Sequence, residues 1–297
     1  MRSALRFLGL LAAVLLTFAA GSLDAYGARK TVCTITVNSP DEKETMKKRL
    51  PRGEYDFVEL VEKGREDWLR SSCSRGVQCD ALVISGHFNA GETFYSDRLE
   101  VDHHLAIDEL ERASCSGNCP GIFANLKEVY LFGCESLNPD ASKYASAYGE
   151  SGRSRMRRIF SNVPVIYGFS SAAPVGPTAA MLLERHFDAG GARIGTGQVS
   201  QSLLKAFSRN SMTTARGVGS TGPAAEERAR ICTFFAVRQS IALRLVEPAQ
   251  VGGDGDTAGP VGGIAQRARL AQVGLARVGI DRDVREGTPH FRLLARR

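Results

Sequence analysis

The chain has 297 residues, with 43% hydrophobic and 24% charged residues and a formal charge of +6. That composition excludes wholesale disorder and leaves room for one large or two modest domains with a sizeable core. The charge gathers at the ends, in Arg2, Arg6 and the arginines after Gln266; no Lys/Arg stripe interleaved with aromatics crosses the middle, so nucleic-acid binding is not expected.

Arg2 and Arg6 precede FLGLLAAVLLTFAA, an apolar run of about fourteen residues that is short for a membrane span and suits a signal-peptide core. Leu23-Asp24-Ala25 supplies a cleavage site, so the expectation is a signal peptide over 1–25 and an exported protein, periplasmic or secreted, beginning near Tyr26. An uncleaved anchor is the alternative. No other stretch is long enough to span a bilayer.

From Lys30 to about Phe187, β-prone runs alternate with helical stretches. TVCTITV (31–37) predicts a strand, and Asp41 caps a predicted helix through EKETMKKRL. YDFVELV (55–61) is a second strand, with a helical GREDWLRSS after it. ALVISGHF (81–88) is a third, apolar enough for burial on both faces. A short ETFYS follows, then a helix with Asp102 as N-cap and Leu105, Ile107 and Leu110 among its apolar residues. LKEVYLFGC (126–134) and VPVIYGFS (163–170) are the fourth and fifth strands, with a mostly polar helix between them up to Phe160. Pro177 then sits in the first turn of helix TAAMLLERHF. This alternation predicts an α/β domain over 26–190, a mostly parallel sheet with helices on both faces. Beyond about Gly190 no further strand is predicted: GQVSQSLLKAFSR and AAEERARICTFFAVRQSIALRLVE form a helical extension over 191–247. Residues 248–263 have linker composition, and the basic tail 264–297 includes an amphipathic stretch that packs on the domain, on a partner or on an anionic surface.

Export makes the seven cysteines informative, because in an oxidising compartment thiols pair and an odd number leaves at least one over. Cys73 and Cys79 flank SRGVQ, and Cys115 and Cys119 flank SGN; both spacings suit small disulfide-closed loops. A zinc site drawing on His103 and His104 is weaker, since neither spacing is C-x-x-C, so no metal is expected. Cys33 and Cys232 pair with each other or are buried and inert. Cys134 has no local partner.

Functional groups in a parallel sheet gather at the strands' carboxyl ends. ALVISGHF ends near His87 and VYLFGCES near Cys134, each preceded by a glycine, Gly86 and Gly133, that lets the backbone turn sharply. Taken singly, the histidine is a strand-closing residue and the cysteine a buried filler. On neighbouring strands they make a nucleophile and its acid–base partner.

At these residues the sequence resembles the caspase–haemoglobinase fold of cysteine peptidases, which includes caspases, legumains, gingipains, separases and CHAT-domain proteases and places a His after one strand and a Cys after the next. GCES with its apolar lead-in is similar to the legumain and CHAT nucleophile segment. VIYGFSSAAPVG is similar to the following legumain strand, whose Ala-Ala run lines the substrate pocket. The resemblance covers roughly residues 31–187. It implies a cofactor-free endopeptidase acting on a peptide or protein through His87 and Cys134, with Gly86, Phe88, Asn89, Gly133, Glu135, Ser170 and Ser171 around the pocket and oxyanion hole. Glu135 would favour a basic substrate side chain or is a solvated loop residue. These families usually carry His-Gly; here the order is Gly86-His87-Phe88, so an N–H from Phe88 or Asn89 takes the oxyanion role. A catalytically silent relative that binds a peptide or protein at the same edge is a second expectation. A thiol–disulfide exchange protein is a third, weakened because no second thiol adjoins Cys134. The run ESGRSRMRRIF (150–160) is a basic helix face or a processing site. Nothing in the sequence sets an oligomeric state.

Overall fold

A computed structural model of the chain describes residues 28–60, 72–73, 75–89, 92–97, 104–117, 119–140, 150–191 and 193–246. The apolar run at 7–20, nearly all of the helix expected at 64–72, Asp102, His103, His290, the linker and the tail lie outside them. The chain clusters into two units, 1–229 and 230–297; the second contributes only the end of one helix to the described residues.

The elements in chain order are β1 (Lys30–Thr36), α1 (Asp41–Arg49), β2 (Tyr55–Glu59), β3 (Ala81–Ser85), β4 (His87–Asn89), β5 (Thr93–Tyr95) and β6 (His104–Ala106). They continue with α2 (Ile107–Ser116), α3 (Pro120–Phe123), β7 (Glu128–Phe132), α4 (Gly152–Ile159), β8 (Val165–Phe169), α5 (Gly176–Asp188), α6 (Gln201–Ala206), β9 (Met212–Ala215) and α7 (Pro223–Val246). Six strands form one sheet in the order β2-β1-β3-β7-β8-β9, parallel throughout except for β9.

Strands β3, β7 and β8 are buried at every position, as largely apolar runs in the middle of a parallel sheet are. Their alternate residues enter two separate clusters. Leu82, Ile84, Val129, Leu131 and Ile166 pack with Ile107 and Leu110 of α2 and with Met156 and Ile159 of α4. Val83, Tyr130, Phe132, Tyr167 and Phe169 pack with Met46 of α1 and with Leu182 and Leu183 of α5. The period of two that puts successive side chains on opposite faces thus sorts these residues into separate clusters.

Four expectations about elements are corrected. The run 81–88 is not one strand: it breaks at Gly86, and His87–Asn89 opens a separate antiparallel sheet, β4-β5-β6. A Cβ at Gly86 would meet the Val37 Cβ at 3.0 Å, so the break falls where only glycine fits closely. The helix expected from Asp102 begins at Ile107, because residues 104–106 pair with β5 and the Ile107 N–H donates to the Glu92 carbonyl at 2.8 Å. Strands do not stop at Gly190: Met212–Ala215 pairs antiparallel with β8, Phe169 opposite Met212 and Ile166 opposite Ala215. Only α6 and a single 3-10 turn remain of the helix expected over 197–209.

The small cysteine loops are corrected too. Cys33 pairs with Cys79 and Cys73 with Cys119, each across a separation of 46 residues. Cys33 on β1 lies beside Leu82 on β3, which brings the end of the 73–79 segment within reach of it, so the fold and not the spacing chooses the partner. Cys115 is also disulfide-bonded, and therefore not to Cys119; Cys33 is likewise not joined to Cys232. These bonds consume the cysteines that a zinc site would need. Cys134 keeps its thiol. Alkylation of the denatured, unreduced protein is expected to add one group per chain, at Cys134, and seven after reduction, counted by intact mass.

The arginines of 150–160 are neither an open face nor an exposed processing site. Arg155 and Arg158 are 4% and 5% exposed and grip the buried Glu111 of α2, at 3.3 and 2.5 Å. Asp108 and Glu150 complete the network. Arg153 and Arg157 donate to the carbonyls of Thr214 and Arg216 along the outer side of β9, which blunts that sheet edge against pairing. No helix among the described residues is long and apolar enough to cross a membrane.

Candidate active site

The sheet order runs from β1 outward to β2, then returns across β1 to β3, so the strand sequence switches direction between β1 and β3. Crevices at the carboxyl ends beside such a switch are where open α/β sheets bind ligands. Strands β3 and β7 are neighbours in register, Ser85 opposite Phe132. The next residues are Gly86-His87 on one strand and Gly133-Cys134 on the other, so both candidate side chains leave the sheet at the same edge.

On the histidine side, the Gly86 N–H donates to the Phe132 carbonyl at 3.2 Å, the last link to the main sheet before the chain turns into the hairpin. In β4 the side chains alternate. Phe88 is buried against Phe94, with ring centroids 4.5 Å apart, while His87 and Asn89 face outward. The bulky residue after the histidine is therefore a core anchor of the small sheet. His87 stacks obliquely on Tyr95, its register partner, at 5.3 Å. Its Nε2 lies 3.2 Å from Oδ2 of Asp97. The hydrogen bond from His87 holds the Asp97 carboxyl below the usual carboxylate range.

On the cysteine side, a Cβ at Gly133 would meet Phe94 Cε1 at 2.7 Å, Phe88 Cβ at 2.8 Å and the Gly86 carbonyl at 3.3 Å. The glycine lets the β7 end press directly against the hairpin that carries His87. Gly133→Ala is expected to cost about 1–3 kcal/mol, read from urea midpoints, because neither phenylalanine has room to withdraw. Glu135 follows the cysteine with φ +57°, a left-handed conformation uncommon for a residue with a side chain. The turn is over-determined: the Glu135 N–H donates to the Ser171 carbonyl at 2.7 Å, and Asn138 N–H to the Glu135 carbonyl at 2.9 Å. The buried Ser136 hydroxyl bridges the β7 and β8 ends, donating to Leu131 O at 3.4 Å and accepting from Phe169 N–H at 3.2 Å. Strain held this firmly beside a nucleophile candidate fits a functional turn.

The Cys134 sulfur, half-buried, accepts a hydrogen bond from the Ala173 N–H at 3.4 Å. The segment after β8 thus closes the site from the far side. Ser170 and Ser171 are fixed there through Ser211: Ser170 N–H to its carbonyl and Ser171 N–H to its hydroxyl, each at 3.2 Å. No hydrogen bond joins His87 to Cys134 among the described residues; the imidazole's polar partner is Asp97 and the sulfur's is Ala173. Gly86, His87, Phe88, Gly133, Cys134, Glu135, Ser170 and Ser171 all lie along this edge, whereas Asn89 sits at the hairpin turn, accepting from Glu92 N–H at 2.8 Å.

Two carboxylates of note went unnoticed in the sequence. Asp97 lies ten positions after His87 with no motif around it; the β4–β5 register folds it back. Glu42, on the first turn of α1, is 3% exposed, and its Oε2 has no hydrogen-bond partner. Burial pushes its carboxyl up to about 7, with the neighbouring Asp41 adding to the effect. Among the other histidines, His186 is buried and bonded to Ser202 Oγ at 2.9 Å, with burial lowering its pKa, and His104 is exposed on β6.

Comparison of the chain with models of known protein families and with curated proteins finds no match.

Proposed function

We propose that the protein is an exported cysteine endopeptidase of caspase–haemoglobinase type, with Cys134 as nucleophile and His87 as its acid–base partner. The observation that supports this reading is the β3–β7 register, in which the strands preceding His87 and Cys134 end as neighbours at the carboxyl edge of a parallel sheet, beside a strained turn. The pattern of a His after one strand and a Cys after its neighbour is the one the family resemblance rests on. The two apolar clusters support the finer part of the fold reading, helices on both faces of the sheet. Oxidised cysteines support export, since such bonds persist in oxidising compartments.

In the reaction the Cys134 thiolate attacks the carbonyl carbon of the scissile peptide, forming the S–C bond as the carbonyl electrons move onto oxygen. Imidazolium His87 gives its proton to the departing amine as the C–N bond breaks. Neutral His87 then takes a proton from water, which displaces the thiolate and releases the acid. For the oxyanion, the Glu135 N–H is already committed to Ser171, while the Cys134 N–H has no acceptor among the described residues and takes that role. Catalytic hydrogen bonds are often long before substrate binds, which accommodates a resting His87 turned toward Asp97.

The test is to profile a peptide library with wild type and Cys134→Ala. Cleavage by wild type alone supports the peptidase; cleavage by both points to a contaminant and removes the support. Cleavage by neither favours a silent relative that binds a peptide at the same edge, a reading helped by the missing His87–Cys134 hydrogen bond and by Phe88 where the family usually has glycine. Thiol–disulfide exchange has less behind it, since Cys134 is the sole free cysteine among the described residues.

A further inference from the structure

We propose that Asp97 is the positioning residue of this site: it holds the Nε2–H of His87 and so leaves Nδ1 as the nitrogen that exchanges a proton with Cys134 and then with the leaving amine. The inference rests on the peptidase reading above. Its ground is the 3.2 Å contact between Nε2 and Oδ2 and the chemistry of the two groups. An ionised carboxylate only accepts hydrogen bonds, and a neutral imidazole carries one proton. The nitrogen facing the carboxylate is therefore the protonated one, and the lone pair stands on the other. The carboxyl stays ionised well into the acid range because the His87 hydrogen bond favours its charged form, and Asn38 adds a further hydrogen bond.

The placement is built and not incidental. Asp97 follows β5 by two residues, and β5 is fixed opposite β4 by the Phe88–Phe94 pair. Ser96 donates to Asn38 Oδ1 at 3.0 Å, which ties the segment to the end of β1 at the sheet's switch point. Tyr95 limits rotation of the imidazole from one side. A surface ion pair with no role would make none of these links necessary, and such pairs contribute little stability. The readout must therefore be the state of His87 and not the stability of the fold.

The experiment uses the full chain labelled with nitrogen-15 at histidine, in wild type, Asp97→Ala, Asp97→Asn and His87→Ala, the last assigning the His87 signals. At pH 8.5 two-bond nitrogen–proton spectra report the tautomer, and at pH 7, where an unassisted thiol is mostly protonated, iodoacetamide capture of Cys134 reports the pair. Wild type is expected to hold the Nε2–H form. Asp97→Ala is expected to shift His87 to a mixture and slow capture about tenfold, at an unchanged urea midpoint. Asp97→Asn, whose amide oxygen still accepts the bond, is expected to keep the tautomer and most of the rate. A wild-type tautomer and rate in Asp97→Ala, with capture still slowed in His87→Ala, would overturn the positioning role alone. Capture that is indifferent to His87→Ala would overturn the pair and its positioning residue together.

Discussion

Replacing His87 by alanine is expected to lower kcat/KM for a cleaved library peptide by about 10³-fold, the usual worth of a positioned acid–base group. Cys134→Ala removes the nucleophile and is expected to leave no cleavage above background. Neither change should disturb the fold. His87 is about one-third exposed at the outer face of the hairpin, and the packing at that turn is done by Phe88 and Phe94. Cys134 is only half-buried, and among the described residues its sulfur makes one hydrogen bond, a weak one from Ala173. Unfolding midpoints of both variants are therefore expected within about 0.5 kcal/mol of wild type. A loss of activity that came with a large loss of stability would instead assign these residues to the core.

Glu42→Gln is expected to stabilise the protein by roughly 3 kcal/mol at pH 8 and to have no effect at pH 4. The folded carboxyl titrates at about 7, well above its unfolded value, because burial opposes the charge and Asp41 adds repulsion. The folded state therefore binds the Glu42 proton more tightly than the unfolded chain does. Wild-type stability is full below the unfolded pKa of about 4.3 and falls as pH rises through the folded pKa near 7. Glutamine is uncharged at every pH and removes that fall. Urea titrations of both proteins at pH 4, 6 and 8 check it; parallel pH profiles would mean that Glu42 stays charged in the folded state. The first turn of α1 follows directly from the β1 end, so this neutral acid borders the same sheet edge as the site.

Much of the sheet was legible because its central strands are largely apolar and buried at every position. The runs at 31–37, 55–61, 126–134 and 163–170 hold strands at Lys30–Thr36, Tyr55–Glu59, Glu128–Phe132 and Val165–Phe169. That His87 and Cys134 each follow the end of one of two neighbouring strands was legible from where the apolar runs end. What was hidden depends on contacts distant in sequence. The break at Gly86 is decided by Val37 and by the hairpin behind it, neither visible in ISGHF. Strand β9 is four residues, MTTA, too short for a period to show, and it forms because β8 offers an open edge. The Cys33–Cys79 bond follows the β1–β3 register, and Cys73 bonds to the distant Cys119, so the nearest cysteines in sequence were the wrong partners. Asp97 was invisible because an exposed carboxylate in a loop acquires its role only once β5 folds against β4.

The site's two halves are held by different means. Backbone hydrogen bonds and a left-handed turn fix the cysteine, whereas a small, two-phenylalanine hairpin carries the histidine.

The most direct measurement is the second-order rate of iodoacetamide capture at Cys134 in the folded protein at pH 7, mapped by peptide mass spectrometry, for wild type and His87→Ala. An imidazole acting on the thiol makes wild type at least about tenfold faster. Equal rates in the two proteins, or a Cys134 that takes no label until the protein unfolds, would contradict it.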